Sequence, residues 1–201
     1  MRTLITALTF LALTLTACGG QEKDSGSSSS TAFNDADVAF ATDMIPHHAQ
    51  ALAMVDTTWN QRLDPEVAQL RDDILDAQQP EVETMAGWLE GWGKPVPETG
   101  LGHDMGAMSD HSMKMPGMMS DEAMASLKKA HGTEFQRMWL EMMREHHQGA
   151  VTMVQQLFDT NGAAQEQSVY KLASDVSADQ TSEITRMKKM LASLTPGAGG
   201  Q

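Results

Sequence analysis

Apolar residues recur along this chain at helical spacing, and they do so in two similar blocks. Phe40, Met44, Ala51 and Val55, with His48 among them, share one stripe of a 3.6-residue period. Asn34 is placed to cap the helix they form, with Asp37 completing a loose capping box. Pro46 lies inside and predicts a kink near Thr42, not a stop. Asp64-Pro65 reads as the cap and first residue of a second helix, which Leu70, Ile74, Val82, Met85 and Leu89 carry to about Trp92. Gly93 and two prolines end it. Ser120-Asp121-Glu122 opens a short helix that stops near Gly132, with His131 as a residue of its C-terminal end and not a ligand. Thr133 with Gln136 predicts the capping box of a third long helix, ending around Asp159–Gly162. A fourth runs from about Ala164 to Ser193, before Pro196. No segment alternates convincingly as a strand.

The blocks are a duplication. Asp73-Ile74, Gln78, Glu81-Val82, Met85 and Leu89 reappear as Asp175-Val176, Gln180, Glu183-Ile184, Met187 and Leu191. The preceding helices share M-x2-H-H-x2-A-x2-M, once from Met44 to Met54 and once from Met143 to Met153. Two amphipathic hairpins bury their stripes most simply against each other, so the predicted fold is an all-α four-helix bundle.

The repeated motif holds four of the seven histidines. At 100° per residue from Met44, His47 falls at about −60°, His48 at about +40°, Ala51 at about −20° and Met54 at about −80°. One face therefore carries imidazole and thioether donors, with a small residue between them that leaves room for a bound atom. Methionine at this spacing is often only packing, which is also the plainer reading of Met85 and Met187. Four buried imidazoles without partners would cost several kcal/mol, roughly, and a metal ion supplies the partner. The candidate ligands are Met44, His47, His48 and Met54 with Met143, His146, His147 and Met153. Iron-binding bundles place Glu-x-x-His on such turns. Here Met44 and Met143 stand where the carboxylate would be, which favours Cu(I) over iron. Glu81 and Glu183, with Gln78 and Gln180, are placed to orient the imidazole N–H groups or simply to line the bundle.

Between the hairpins, His103, Met105, Met108, His111, Met113, Met115, Met118 and Met119 crowd a Gly-rich loop. This composition suits an accessory Cu(I) site. It also suits low complexity without a role, or, at Met115–Met119, an apolar cover on the bundle.

The N-terminus adds location. Residues 1–17 read as a leader, with Leu15-Thr16-Ala17-Cys18 resembling a bacterial lipoprotein box. Cys18 is the only cysteine. Lipid on its sulfur would leave the folded part without a thiol, excluding disulfides and thiolate ligands. Residues 18–32 form a Gly/Ser tether spanning about 20 Å. The domain then covers 33–195, as repeat 1 (33–93), loop (94–119) and repeat 2 (120–195), before a tail at 196–201. Losing Arg2 with the leader takes the net charge from −13 to −14. That balance excludes nucleic acid as a partner, and leaves lipid, not charge, to hold the chain at a membrane.

These residues resemble the DUF305 family, whose fold is ferritin-like. The resemblance is carried by Met44-Ile-Pro-His47-His48, Met143-Arg-Glu-His146-His147-Gln-Gly-Ala150, Met115-Pro-Gly-Met118, and the two Gln-x2-Glu pairs, across about residues 33–193. Ala49 departs from the glutamine many relatives carry there, as Gln148 does in the second copy. The resemblance implies copper handling outside the cytoplasm. The resulting expectation is a membrane-tethered copper protein for sequestration or delivery in copper tolerance, without turnover. A metal-dependent oxidoreductase and a partner-binding helical module are the competing readings. The sequence names no delivery partner and does not decide whether the chain forms a homodimer.

Overall fold

The computed structural model describes residues 33–99 and 114–194. Among them all regular structure is helical: α1 (Asp35–Asp56), α2 (Pro65–Gly91), α3 (Asp121–Lys129), α4 (Gly132–Asp159) and α5 (Gln167–Ser193). None of these helices is long and apolar enough to cross a membrane. The leader, Cys18, the tether and the tail lie outside the described residues, as do His103, Met105, Met108, His111 and Met113.

Capping fixes where α1 begins and what it meets. Asn34 Oδ1 accepts the N–H groups of Ala36 (2.8 Å) and Asp37 (3.1 Å), while Asp37 Oδ2 accepts the N–H of Asn34 (2.9 Å). The same two side chains reach the far hairpin. The Asn34 amide donates to the Gly162 carbonyl at 2.6 Å, and Asp37 Oδ1 accepts the Ala164 N–H at 2.6 Å. A single cap of this type contributes about 1 kcal/mol. α1 continues through buried Pro46.

Two helix starts differ from the sequence reading. α4 takes His131 as its N-cap residue and has no side-chain cap bond. Thr133 and Gln136 form no capping box because the Gln136 Oε1 accepts the Asp64 N–H at 2.7 Å, tying α4 to the head of α2. His131 thus belongs to the start of α4, not the end of α3. α5 begins at Gln167 and not near Ala164. Ala164 sits at φ 51°, a left-handed conformation that no helix contains, held there by the bond from its N–H to Asp37.

Each hairpin packs on itself, α1 on α2 and α4 on α5, and the hairpins join through α1 on α4 and α2 on α5. α1 and α4 run antiparallel: the Trp139 indole near the head of α4 donates to the Met54 carbonyl near the tail of α1 at 3.0 Å. The interior divides along the bundle. One apolar cluster holds Phe40, Met44, Met85, Leu89 and Met153, and the other Met54, Ile74, Phe135, Trp139, Met143 and Met187. Large side chains of this kind contribute about 1.5–3 kcal/mol each when buried. On all four helices the residues between the two clusters are polar: His47 and His48, Gln78 and Glu81, His146 and His147, Gln180 and Glu183.

Candidate metal centre

The polar layer is where the duplication converges. His47 and His48 point in from α1, His146 and His147 from α4, and all four are fully buried. The rings of His47 and His146 lie against each other, centroids 3.8 Å apart and planes tilted by 36°. The outer members of each pair turn toward the second helices. His48 Nε2 lies 2.8 Å from Glu81 Oε2, and His147 Nε2 lies 2.8 Å from Glu183 Oε2. A carboxylate accepts, so Nε2 is the donor in each ring, which turns Nδ1 toward other surroundings.

The inner pair is less satisfied. His47 Nε2–H donates to the Pro116 carbonyl at 2.9 Å. His146 has no hydrogen-bond partner on either nitrogen among the described residues, and the Nδ1 atoms of His47, His48 and His147 are equally unpartnered. Burial lowers the pKa of His47 to about 3, with further lowering from His48 and His147 and an opposing pull from the Pro116 carbonyl. Burial likewise holds His146 well below the usual range, helped by repulsion from His47, His147 and His48 and only weakly opposed by the His47 backbone. Both rings are therefore neutral near pH 7, with lone pairs free to bind a cation. Unpartnered buried nitrogens are costly in a folded protein. A soft metal ion is one partner whose chemistry would satisfy them.

Among the described residues no three His, Cys, Asp or Glu side chains gather as a complete ligand set. The methionines expected from the sequence as soft donors lie around this layer. Met44 and Met143 are fully buried one turn before His47 and His146. Met54 is fully buried against Trp139, and Met153 is nearly so in the opposite cluster. Gln78 and Gln180 are buried in the layer, yet neither bonds a histidine. Among the described residues the Gln78 amide is unpartnered on both atoms, and so is the Gln180 oxygen. Of the four polar side chains that α2 and α5 bring to the layer, Glu81 and Glu183 are the ones that accept imidazole N–H groups among the described residues. Asp179 stands near both. Partial burial raises its pKa first, followed by repulsion from Glu183, Glu81 and Asp175.

Residues 114–119 lie across the α1–α4 groove as a strap. Met115-Pro116-Gly117-Met118 forms a tight turn, closed by the Met118 N–H to the Met115 carbonyl (3.3 Å), with Gly117 at φ 76°. The turn enters the groove beside His146. A Cβ on Gly149 would lie 2.0 Å from the Pro116 oxygen, and one on Gly117 would lie 2.7 Å from the Glu145 carbonyl oxygen. The strap's far end is tied by Gln50, whose amide donates to the Met119 carbonyl (2.9 Å) and accepts the Met119 N–H (2.7 Å). Met115 and Met119 are thereby buried and Met118 half-buried, so this part of the Met-rich loop covers the bundle. Gln50 and Gly149 were not singled out from the sequence as contacts of that cover. They occupy the same step of the two repeats, and the mismatch between them was the available signal.

Comparison with known proteins agrees with the helical fold. The chain matches the family described as "Domain of unknown function (DUF305)" over residues 37–191. Solved structures include a DUF305 fragment from Deinococcus radiodurans at 29% identity and TM-score 0.67, covering 80% of this chain and 97% of that one. A DUF305 protein from Streptomyces coelicolor, inferred to be secreted, is 30% identical with TM-score 0.67, covering 83% of this chain and 98% of the other. CopM in its Cu(I)-bound form is 28% identical with TM-score 0.62, covering 80% of this chain and 98% of CopM, and a Cu(II)-bound form is also known. No curated protein matches.

Proposed function

The chain belongs to the DUF305 family, and on that premise we propose that it binds copper in its histidine layer and sequesters or delivers the ion outside the cytoplasm. The observation that carries this reading is the His47–His146 contact, two neutral buried rings with three unpartnered nitrogens between them. His47, His146, His48 and His147 would supply imidazole donors, and Met44 and Met143 the thioethers that favour Cu(I). Glu81 and Glu183 would hold the outer rings in the tautomer that leaves Nδ1 free, a role that commonly sharpens metal affinity. The relatives add support, since CopM has been solved with Cu(I) and with Cu(II). The leader, and the secretion inferred for the Streptomyces coelicolor relative, support a place outside the cytoplasm. Lipid on Cys18 would then tether the domain to a membrane, where copper tolerance needs binding and not turnover.

Anaerobic titration with Cu(I) against a competing chelator tests the reading. Native protein takes up the ion, and a variant with all four paired histidines replaced by leucine loses at least a hundredfold in affinity. Unchanged stoichiometry and affinity in that variant would overturn the assignment. Thermal unfolding gives a second readout, because a ligand of the native state must raise its stability.

A further inference from the structure

The strap covers the histidine pair but leaves a cavity at one of its edges. About 180 Å³ opens between the first half of α1 and the second half of α4, beside Pro116. Phe40 and Leu157 form part of its wall, and Met115 and Met153 both line it. Asp43 also lines it, while Ala39, Gln156 and Thr160 are exposed and connect it to solvent. Asp43 is one helical turn from His47, and Met153 about two turns from His146, so the cavity lies roughly 6–10 Å along the groove from the ring pair. Pro116 borders both, lining the cavity while its carbonyl holds His47. A cavity lined by two methionines suits a soft monovalent cation arriving from water.

We propose that this cavity is a separate loading site, where Met115 and Met153 capture Cu(I) before it passes under Pro116 to His47 and His146. The proposal rests on the copper reading above. It moves Met153 from the expected core ligand set to the port. Transfer exchanges thioether donors for imidazole lone pairs, so copper stays Cu(I) and no electron moves.

The experiment combines loading kinetics with resonance assignments. Cu(I) is delivered anaerobically from a weak chelator and uptake is followed by stopped flow. Replacing Met115→Leu and Met153→Leu together slows uptake at least tenfold while final affinity changes by less than threefold. Met124→Leu, in the far cluster, leaves the rate unchanged. An unchanged rate in the double variant, or an affinity loss as large as that from histidine replacement, overturns the port. Methyl-labelled methionine then separates this idea from the reading beneath it. In the protein lacking all four paired histidines, substoichiometric Cu(I) still shifts the Met115 and Met153 methyl signals. If those signals stay fixed there and in the native protein, the port is wrong whatever the histidines do.

Discussion

The two hairpins share a motif but treat the strap in opposite ways. At the step after His48 and its neighbour, the first carries Gln50, a long amide that grips the Met119 backbone with two hydrogen bonds. At the same step the second carries Gly149, whose missing side chain lets the Pro116 backbone lie directly on α4. One strap crosses a nearly two-fold groove, so the two halves cannot both offer it the same surface. The inner histidines diverge with it: His47 donates to the strap, whereas neither nitrogen of His146 makes a well-formed hydrogen bond among the described residues. Duplication supplied matched donors, and a single unpaired segment made them inequivalent.

The largest expected effect lies in what the two inner rings still share, and pH reads it. His47 and His146 both have native pKa values below the unfolded value of about 6.5. The unfolded chain therefore binds protons that the native state refuses, and stability is full above pH 6.5 and falls below it. By pH 5 the two rings together should cost on the order of 4 kcal/mol in metal-free protein. Urea unfolding between pH 7.5 and pH 5 measures this, and His146→Leu should remove about half the slope. A flat profile would mean that the rings are not buried neutral.

Next is the close approach on α4. Gly149→Ala places a methyl group where the Pro116 oxygen lies, and backbone cannot move aside as a side chain does. A loss of about 3 kcal/mol is expected in chemical unfolding. A neutral result would break the comparison, because the strap would not need the glycine. Gln50→Ala is the matching change in the first hairpin. It leaves the buried Met119 N–H and carbonyl unpaired and should cost about 2 kcal/mol.

The smallest contrast concerns the helix starts. Asn34→Ala removes a formed capping box and should cost about 1 kcal/mol in urea, whereas Thr133→Ala should change little.

That last pair shows what was readable in the sequence. The bundle was legible because its period is local: Phe40, Met44 and Val55 declare a buried stripe without reference to any distant residue. The Asn34 box was equally local. Thr133-x-x-Gln136 carried the same signature and failed, because Gln136 bonds Asp64 from another hairpin, which no local pattern records. Ala164 failed as a helix start for the same reason, through Asp37. In the histidine layer, spacing placed the rings on one face. It did not reveal that Pro116 would hold His47 or that Gln78 would stand unpaired, since both depend on how the loop folds back.

Copper K-edge X-ray absorption on protein loaded anaerobically with one equivalent of Cu(I) tests the central claim most directly. Native protein should show a mixed shell of nitrogen and sulfur, and His47→Leu with His146→Leu should strip out the nitrogen. A shell of sulfur alone in native protein, or a spectrum unchanged by the double replacement, would contradict the assignment of the histidine layer as the copper site.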